Sequence, residues 1–204
     1  MAIIHHWIGG GSSDINDATN WSEGSLPQTG DTVVFDHKAQ KSCVGAITGD
    51  PVFAHMIAKA SFIYNLGTIN DDLSFRVSST NIDIRNHGIN LIELVGPNTD
   101  NISVYGSGIH FFIASTDITI ATLSLLGSLS NNDSPAFTGS VDVSDSISIN
   151  NKVTTAGNCA GTLVIQPVNS TLPELNIDGR GITVTIKCSC STINFEGAPS
   201  GFTN

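Results

Sequence analysis

From residue 73 onward the chain alternates apolar and polar positions in short, repeated bursts. Triplets of two aliphatic residues around a central residue recur: IDI at 82–84, ISV at 102–104, ITI at 118–120, VDV at 141–143, LVI at 163–165 and LNI at 175–177. In most of them the central residue is small or polar, so a period of two puts the aliphatics on one face of a strand and the central residue on the other. Longer strand-like runs lie among them: LSFRV, INLIELV, IHFFIA, TLSLL and ITVTI. The connectors NHG, GPNTDN, SNNDSP, TTAGN and DGRG carry turn chemistry. Helical periodicity is weak. The nearest candidate is PVFAHMIAKASFIYNL at 51–66, where Val52, Met56, Lys59 and Ile63 make no clean stripe and SFIYNL reads better as strand. A short helix in that segment stands as an expectation to be tested.

The triplet centres fall at 83, 103, 119, 142, 164 and 176, giving successive gaps of 20, 16, 23, 22 and 12. Coils of a parallel β-solenoid occupy about 20 residues each and tolerate insertions on one side. A β-sandwich or jelly roll would also place strands every ~8–12 residues. Periodicity alone leaves both open, and the opening segment favours the solenoid.

Residues 18 to 36 read ATNWSEGSLPQTGDTVVFD, dense in turn residues before the strand-like TVVFD. The first rung of a solenoid exposes a free strand edge and an open core, both of which need a cover. Trp7 and Trp21, the two tryptophans of the chain, suit that task because each covers a large apolar area. Gly9, Gly10, Gly24 and Gly30 permit sharp turns or close approach, Pro27 stiffens the chain, and Gly30-Asp31 turns it into the strand ending at Phe35. The expected organisation is one structural domain, with residues 1–36 as an N-terminal cap and first strand and 37–204 as the solenoid body.

The segment HHWIGGGSSDINDATNWSEGSLPQTGDTVVFD resembles an opening element found at the start of β-helical segments in autotransporter-like surface proteins and tailed-phage structural proteins. The resemblance runs roughly W-x-G-G, a spacer, then A-x-N-W-S-x-G-x-x-P-x-x-G-D-x-V-x-F, and falls on Trp7, Gly9, Gly10, Ala18, Asn20, Trp21, Gly24, Pro27, Gly30, Asp31, Val33 and Phe35. It covers about 32 of 204 residues and implies a solenoid cap with a structural role for these side chains, not a catalytic activity.

Charge narrows the partners. Eight Lys plus Arg face eighteen Asp plus Glu, for a formal charge of −10. Such a surface repels phosphates, so nucleic acid is not expected as a ligand. Charged residues make up only 13 % of the chain, about half the usual ~25 %, and Ser, Thr, Asn and Gly carry the polarity instead. No run approaches the ~20 apolar residues of a membrane span. The opening MAIIHHWIGGGSSD lacks a basic n-region and has an apolar run of three residues, so no signal peptide is expected. That departs from autotransporter passengers and points to assembly in a host cytoplasm.

Candidate chemistry is sparse. The four glutamates, Glu23, Glu93, Glu174 and Glu196, lie in separate segments, and Asp71-Asp72 reads as a turn. Asp142 and Asp145 mark a possible outward ladder. His5 and His6 read as a mobile tail, and His110 as a decoration at a strand end; His37, His55 and His87 are isolated in sequence. Cys188 and Cys190 share one face of a strand, and with Cys43 and Cys159 they leave free thiols, disulfides or a metal site open. The Asn-x-Ser/Thr sites at 101–103, 132–134 and 169–171 read as turns.

The expectation is therefore a non-enzyme without cofactor or metal. The first choice is a virion structural protein of a tailed phage, a head-decoration or stabilising subunit or a short fibre or spike module. It would form a homotrimer through an exposed strand face and contact other virion proteins such as the major capsid protein. A glycan-binding adhesin module, using Tyr105 and the HFF run at 110–112, is the alternative. A polysaccharide lyase or hydrolase comes last, because the acids are scattered.

Overall fold

The chain forms a parallel β-solenoid of about six coils. The structure is a computed structural model that describes all residues except 70–72, 97–98, 107, 127–139, 145–146, 157–160, 166–170, 179–181, 197–200 and 204. Asp71, Asp72, Asp145, Cys159, the Asn-x-Ser site at 132–134 and Asn169 and Ser170 of the site at 169–171 therefore lie outside the described residues.

The strands are β1 (Ile4–Trp7), β2 (Thr32–Phe35), β3 (Val52–Ala58), β4 (Phe75–Ile84), β5 (Ile89–Leu94), β6 (Thr99–Tyr105), β7 (Ile109–Ala114) and β8 (Ile118–Leu126). They continue as β9 (Ser140–Val143), β10 (Ile147–Ala156), β11 (Thr162–Ile165), β12 (Thr171–Asp178), β13 (Thr183–Ile186), β14 (Ser189–Glu196) and β15 (Gly201–Thr203). One face stacks β1-β2-β3-β4-β6-β8-β10-β12-β14, and a second stacks β4-β5-β7-β9-β11-β13-β15. Every ladder between these strands is parallel. A sandwich or jelly roll is built from antiparallel pairs, so the solenoid is the fold.

Strand β4 joins the two faces. Its Phe75, Arg76 and Val77 pair with β5, while its second half pairs with β3 and β6. At the junction Ser78 and Ser79 are buried, and each hydroxyl donates to a backbone carbonyl, of Gly96 and Asn81 respectively. Further along, the long strands break step once. The register slips between Ile149 and Lys152, and Pro173, which has no N–H to give, is left out of the pairing between β12 and β14.

The register shows why the triplet spacing looked irregular. Down the first face the inward row Ile82, Ile102, Leu123, Val153, Leu175 and Ile193 advances by 20, 21, 30, 22 and 18 residues. On the second face Ile92, Phe112, Val143, Ile165 and Ile186 advance by 20, 31, 22 and 21. Each coil is thus about 21 residues, with one insertion before β9. IDI and ISV stack directly, as do VDV and LVI. LNI lies further along the row of IDI and ISV, where Asn176 pairs with Thr154, whereas ITI belongs to another row of the first face, where Thr119 pairs with Ser148. The odd gaps compared different rows of one face or the two faces with each other.

Two expectations change. The segment at 51–66 holds no helix: its first half is β3, and the only helical turn described is a 3₁₀ turn at Ala18–Asn20. The first strand is not TVVFD but β1, four residues into the chain, paired in register with β2. Asn101 is also no turn residue. It sits in β6 on the outer side, its amide donating to Asn81 Oδ1 at 2.9 Å.

The two rows from Ile82 to Ile193 and from Ile92 to Ile186 are apolar and, Ile193 apart, buried, and they merge into one continuous core. Leu123→Ala, inside, should cost about 2–5 kcal/mol. Its neighbour Ser124→Ala, outside, should stay within about 0.5 kcal/mol. Urea unfolding of both variants checks the register; equal costs would contradict it.

Candidate functional site

The opening segment is the most elaborately built part of the molecule. The 3₁₀ turn at Ala18–Asn20 is capped by Asp17, whose carboxylate accepts from the backbone N–H and the hydroxyl of Thr19; those bonds hold the Asp17 pKa below its ordinary value. The turn delivers Asn20 into the interior, where its amide is fully used. Oδ1 accepts from Gly11 N–H and Ser12 N–H at 2.9 and 3.1 Å, and Nδ2 donates to Ser12 Oγ and Asp14 O at 2.8 and 2.9 Å. A buried amide with every capacity met can stitch irregular chain together without a desolvation penalty. The Asn20 carbonyl accepts from Ile8 and Gly9, and Ser22 N–H donates to His6 O. The segment at 20–22 thereby covers the otherwise free edge of β1.

Behind that cover lies an aromatic cluster. Trp7 and Trp21 meet edge-to-face with centroids 5.3 Å apart, and both contact Phe35, at 6.3 and 6.1 Å. Phe35 continues the chain of rings to Phe62 and Phe75 at 5.5 and 5.4 Å. Each indole N–H has a carbonyl acceptor, Lys41 O for Trp7 and Ile15 O for Trp21. Gly9 has φ +59°, and a Cβ there would crowd the Trp7 indole and Lys41. Gly24 and Gly30 are required by positive φ alone, and Pro27 is buried. Gly10 has open space around it and a φ outside the left-handed region. Of the cap residues read from sequence, Trp7, Asn20, Trp21, Asp31 and Phe35 are buried together.

His5 and His6 are not a tail. They alternate on β1, His5 inward and His6 outward, and each meets a carboxylate at one end of β2. His5 is 1 % exposed, with Nε2 3.1 Å from Asp31 Oδ2 and Nδ1 3.4 Å from Glu23 Oε2. His6 Nδ1 lies 2.9 Å from Asp36 Oδ2, which Lys59 Nζ approaches to 3.8 Å; His37 Nδ1 stands 4.0 Å from the other oxygen. Burial by itself would raise the pKa of Asp31, but the backbone N–H groups of Gln28 and Ile3, together with His5, outweigh it and hold the carboxylate low. Asp36 is held low in the same way, burial being outweighed by Lys38 N–H, His6 and His37. In the sequence Asp31 was legible only as a turn residue of the cap and Asp36 only as the last residue of the strand-like TVVFD.

A second polar cluster lies inside the solenoid. The inward row Cys43, Leu66, Asn90, His110, Val141, Leu163 and Val184 is apolar apart from Asn90 and His110. Leu66 N–H donates to Asn90 Oδ1, which turns the Asn90 amide nitrogen toward Asn86 Oδ1 and His110 Nδ1. His110 Nδ1 is therefore the acceptor and Nε2 carries the proton, buried with no hydrogen-bond partner. His110 does not decorate a strand end; it is an interior residue. Burial, reinforced by His87, pushes its pKa down to about 4.

The remaining candidates stay apart. Glu93 sits on the outer side of the second face with Arg76 and Ser74, far along the chain from Glu23 and on a different face from Glu174. Cys43 is buried, with its thiol pKa raised by burial; Cys188 and Cys190 are half-buried, and all three are free. Among the described residues no three His, Cys, Asp or Glu side chains gather as a metal site would need. The aromatic run at 110–112 is divided by its strand. Phe112 is core, Phe111 faces outward on the second face, and Tyr105 lies beneath the Arg85 guanidinium at 4.4 Å on the first.

Two outcomes are expected. Trp21→Ala should lower unfolding stability by about 3–5 kcal/mol, read by thermal or urea denaturation. The second concerns pH. Because His110 falls from 6.5 to about 4 on folding, the unfolded chain binds the extra proton first. Its contribution is fully present above 6.5 and lost as pH falls toward 4, a total on the order of 3 kcal/mol. Urea midpoints should therefore fall between pH 7 and pH 5, and His110→Val should remove most of that slope. Comparison of this chain with protein-family models, with curated proteins and with solved structures finds no match in any of the three.

Proposed function

We propose that the chain is a structural subunit that works by assembly rather than catalysis, with a tailed-phage virion as its setting. The opening motif on Trp7, Gly9, Asn20, Trp21 and Phe35 supports the virion part of this reading by resemblance. The observation that carries the assembly part is the outer side of the second face. There Ile89 stacks on Ile109, Leu91 on Phe111 and Glu93 on Ile113. Ile89 and Ile109 remain 44 % and 39 % exposed, and Leu91, Phe111 and Ile113 are half-covered. The next rung reverts to Ser140 and Asp142.

A flat apolar patch on a chain of charge −10 is a costly feature for a free monomer and a natural contact between copies. Its one carboxylate, Glu93, is already matched by Arg76 and Ser74, so like-charged copies can approach there with least repulsion. Three copies around an axis beside the second face would close the contact as a homotrimer, with other virion proteins as further partners.

A second reading, glycan binding, draws on the outer side of the first face. Asn81 and Asn101 stack amide on amide there, as do Asn176 and Asn194, with Ser103 and Ser124 beside them. Hydroxyls and amides repeating along a rigid sheet are suitable hydrogen-bonding partners for sugars.

Light scattering during gel filtration decides between free and assembled chains. The assembly reading expects a discrete oligomer across concentrations and a monomer for Phe111→Asp, with the thermal midpoint of the variant fold preserved because the side chain faces outward. A wild-type monomer at every concentration would defeat it.

A further inference from the structure

We propose that the cap is a pH-responsive clasp in which a protonated His5 ties β1 to Asp31 and Glu23 at once and a neutral His5 releases the second of these ties. The inference starts from hydrogen-bond inventory. A neutral imidazole has one N–H and one lone pair, whereas an imidazolium donates from both nitrogens. Both nitrogens of His5 face carboxylate oxygens, Nε2 to Asp31 Oδ2 at 3.1 Å and Nδ1 to Glu23 Oε2 at 3.4 Å.

Asp31 Oδ2 also accepts from Gln28 N–H, and its Oδ1 accepts from Ile3 N–H. A carboxylate so furnished stays ionised and demands a donor from His5 Nε2. In the neutral ring that demand leaves a bare lone pair on Nδ1 pointing at the Glu23 carboxylate. The His5 Nδ1 atom is buried and has no hydrogen-bond partner to relieve the contact. Protonation turns the same contact into attraction on both sides.

The groups that face His5 are few. Asp31 comes from the turn before β2 and Glu23 from the segment after the 3₁₀ turn, while the Trp21 ring meets the imidazole edge-on at 6.2 Å. His6 points the other way, to Asp36, and through it to Lys59 and His37. A neutral His6 can still donate its one proton to Asp36, so the outer tie survives where the inner one weakens. Glu23 is the pivot. It lies on the segment that covers the edge of β1, and Ser22 of that segment donates to it at 2.6 Å. Repulsion at His5 therefore acts directly on the cover, and its loosening bares the Trp7–Trp21 contact and the edge of β1.

Protonation of the ring tightens the clasp and loss of the proton slackens it, so the clasp tightens toward acid and slackens toward alkali. This is the reverse of the dependence expected from His110, which separates the two. Trp7 and Trp21, the two tryptophans of the chain, both lie in the cap, so intrinsic fluorescence reports the clasp alone while far-UV circular dichroism reports the body. The full-length protein would be followed by tryptophan emission and acrylamide quenching from mildly acid to mildly alkaline pH, beside Glu23→Gln. The expected result is a red shift and rising quenching with pH in the wild type at constant strand signal, and a flattened profile in Glu23→Gln, whose amide can meet either form of the ring. A wild-type profile flat in pH would overturn the proposal, and so would a Glu23→Gln profile with the wild-type midpoint and amplitude.

Discussion

The structure depends on one constraint: parallel strands stacked in register, coil upon coil, with the backbone N–H and C=O groups of a rung engaged by the rungs beside it. That arrangement fixes everything perpendicular to it. Because partners are in register, the residue above an inward Ile must be another inward apolar residue, and the rows from Ile82 to Ile193 and from Ile92 to Ile186 follow. The same register aligns outward amides into stacks such as Asn81 with Asn101 and outward apolar residues into the Ile89–Phe111 patch. A side chain in this fold acquires its neighbours from residues about one coil away in sequence, not from those beside it.

A stack satisfied along its length is unsatisfied at its first rung, and the opening residues answer that. The segment at 20–22 supplies hydrogen bonds to the edge of β1, and Trp7, Trp21 and Phe35 close the core beneath it. Irregular backbone in such a place would leave polar groups stranded, and Asn20 solves this with one amide that makes four bonds. The cap is held to the stack by histidine–carboxylate contacts as well as by apolar packing. His5 and His6 reach the aspartates at either end of β2, so the first two rungs are clamped on both sides of the sheet.

The buried polar groups follow a different logic from the cap. Asn90 and His110 interrupt an apolar row in the middle of the body, Asn90 bonding to both His110 and Asn86, and leave His110 Nε2 without a partner. Asn90 answers the Leu66 N–H at the place where the chain enters the second face. His110 then answers Asn90, which makes its neutral form the one compatible with the fold.

Much of the architecture was readable in the sequence, because alternation of period two is a local property. The strands, the polar turns, the dense turn chemistry of the first 36 residues and the covering tryptophans all announce a stacked β-fold with a built end. What the sequence could not convey was which strand lies on which neighbour. ITI and ISV look alike but sit in different rows of the first face, and the spacing between them was misleading until the register was known. The strand at Ile4–Trp7 is too short to be read as one without its partner at Thr32–Phe35. His5, His6 and His110 look like isolated histidines, since their carboxylate and amide partners stand 18 to 30 residues away, about a coil in each case. The local pattern determined that this protein stacks. Only the tertiary register decided which polar groups meet, because in a parallel solenoid contact is set by coil length, and coil length varies with each insertion.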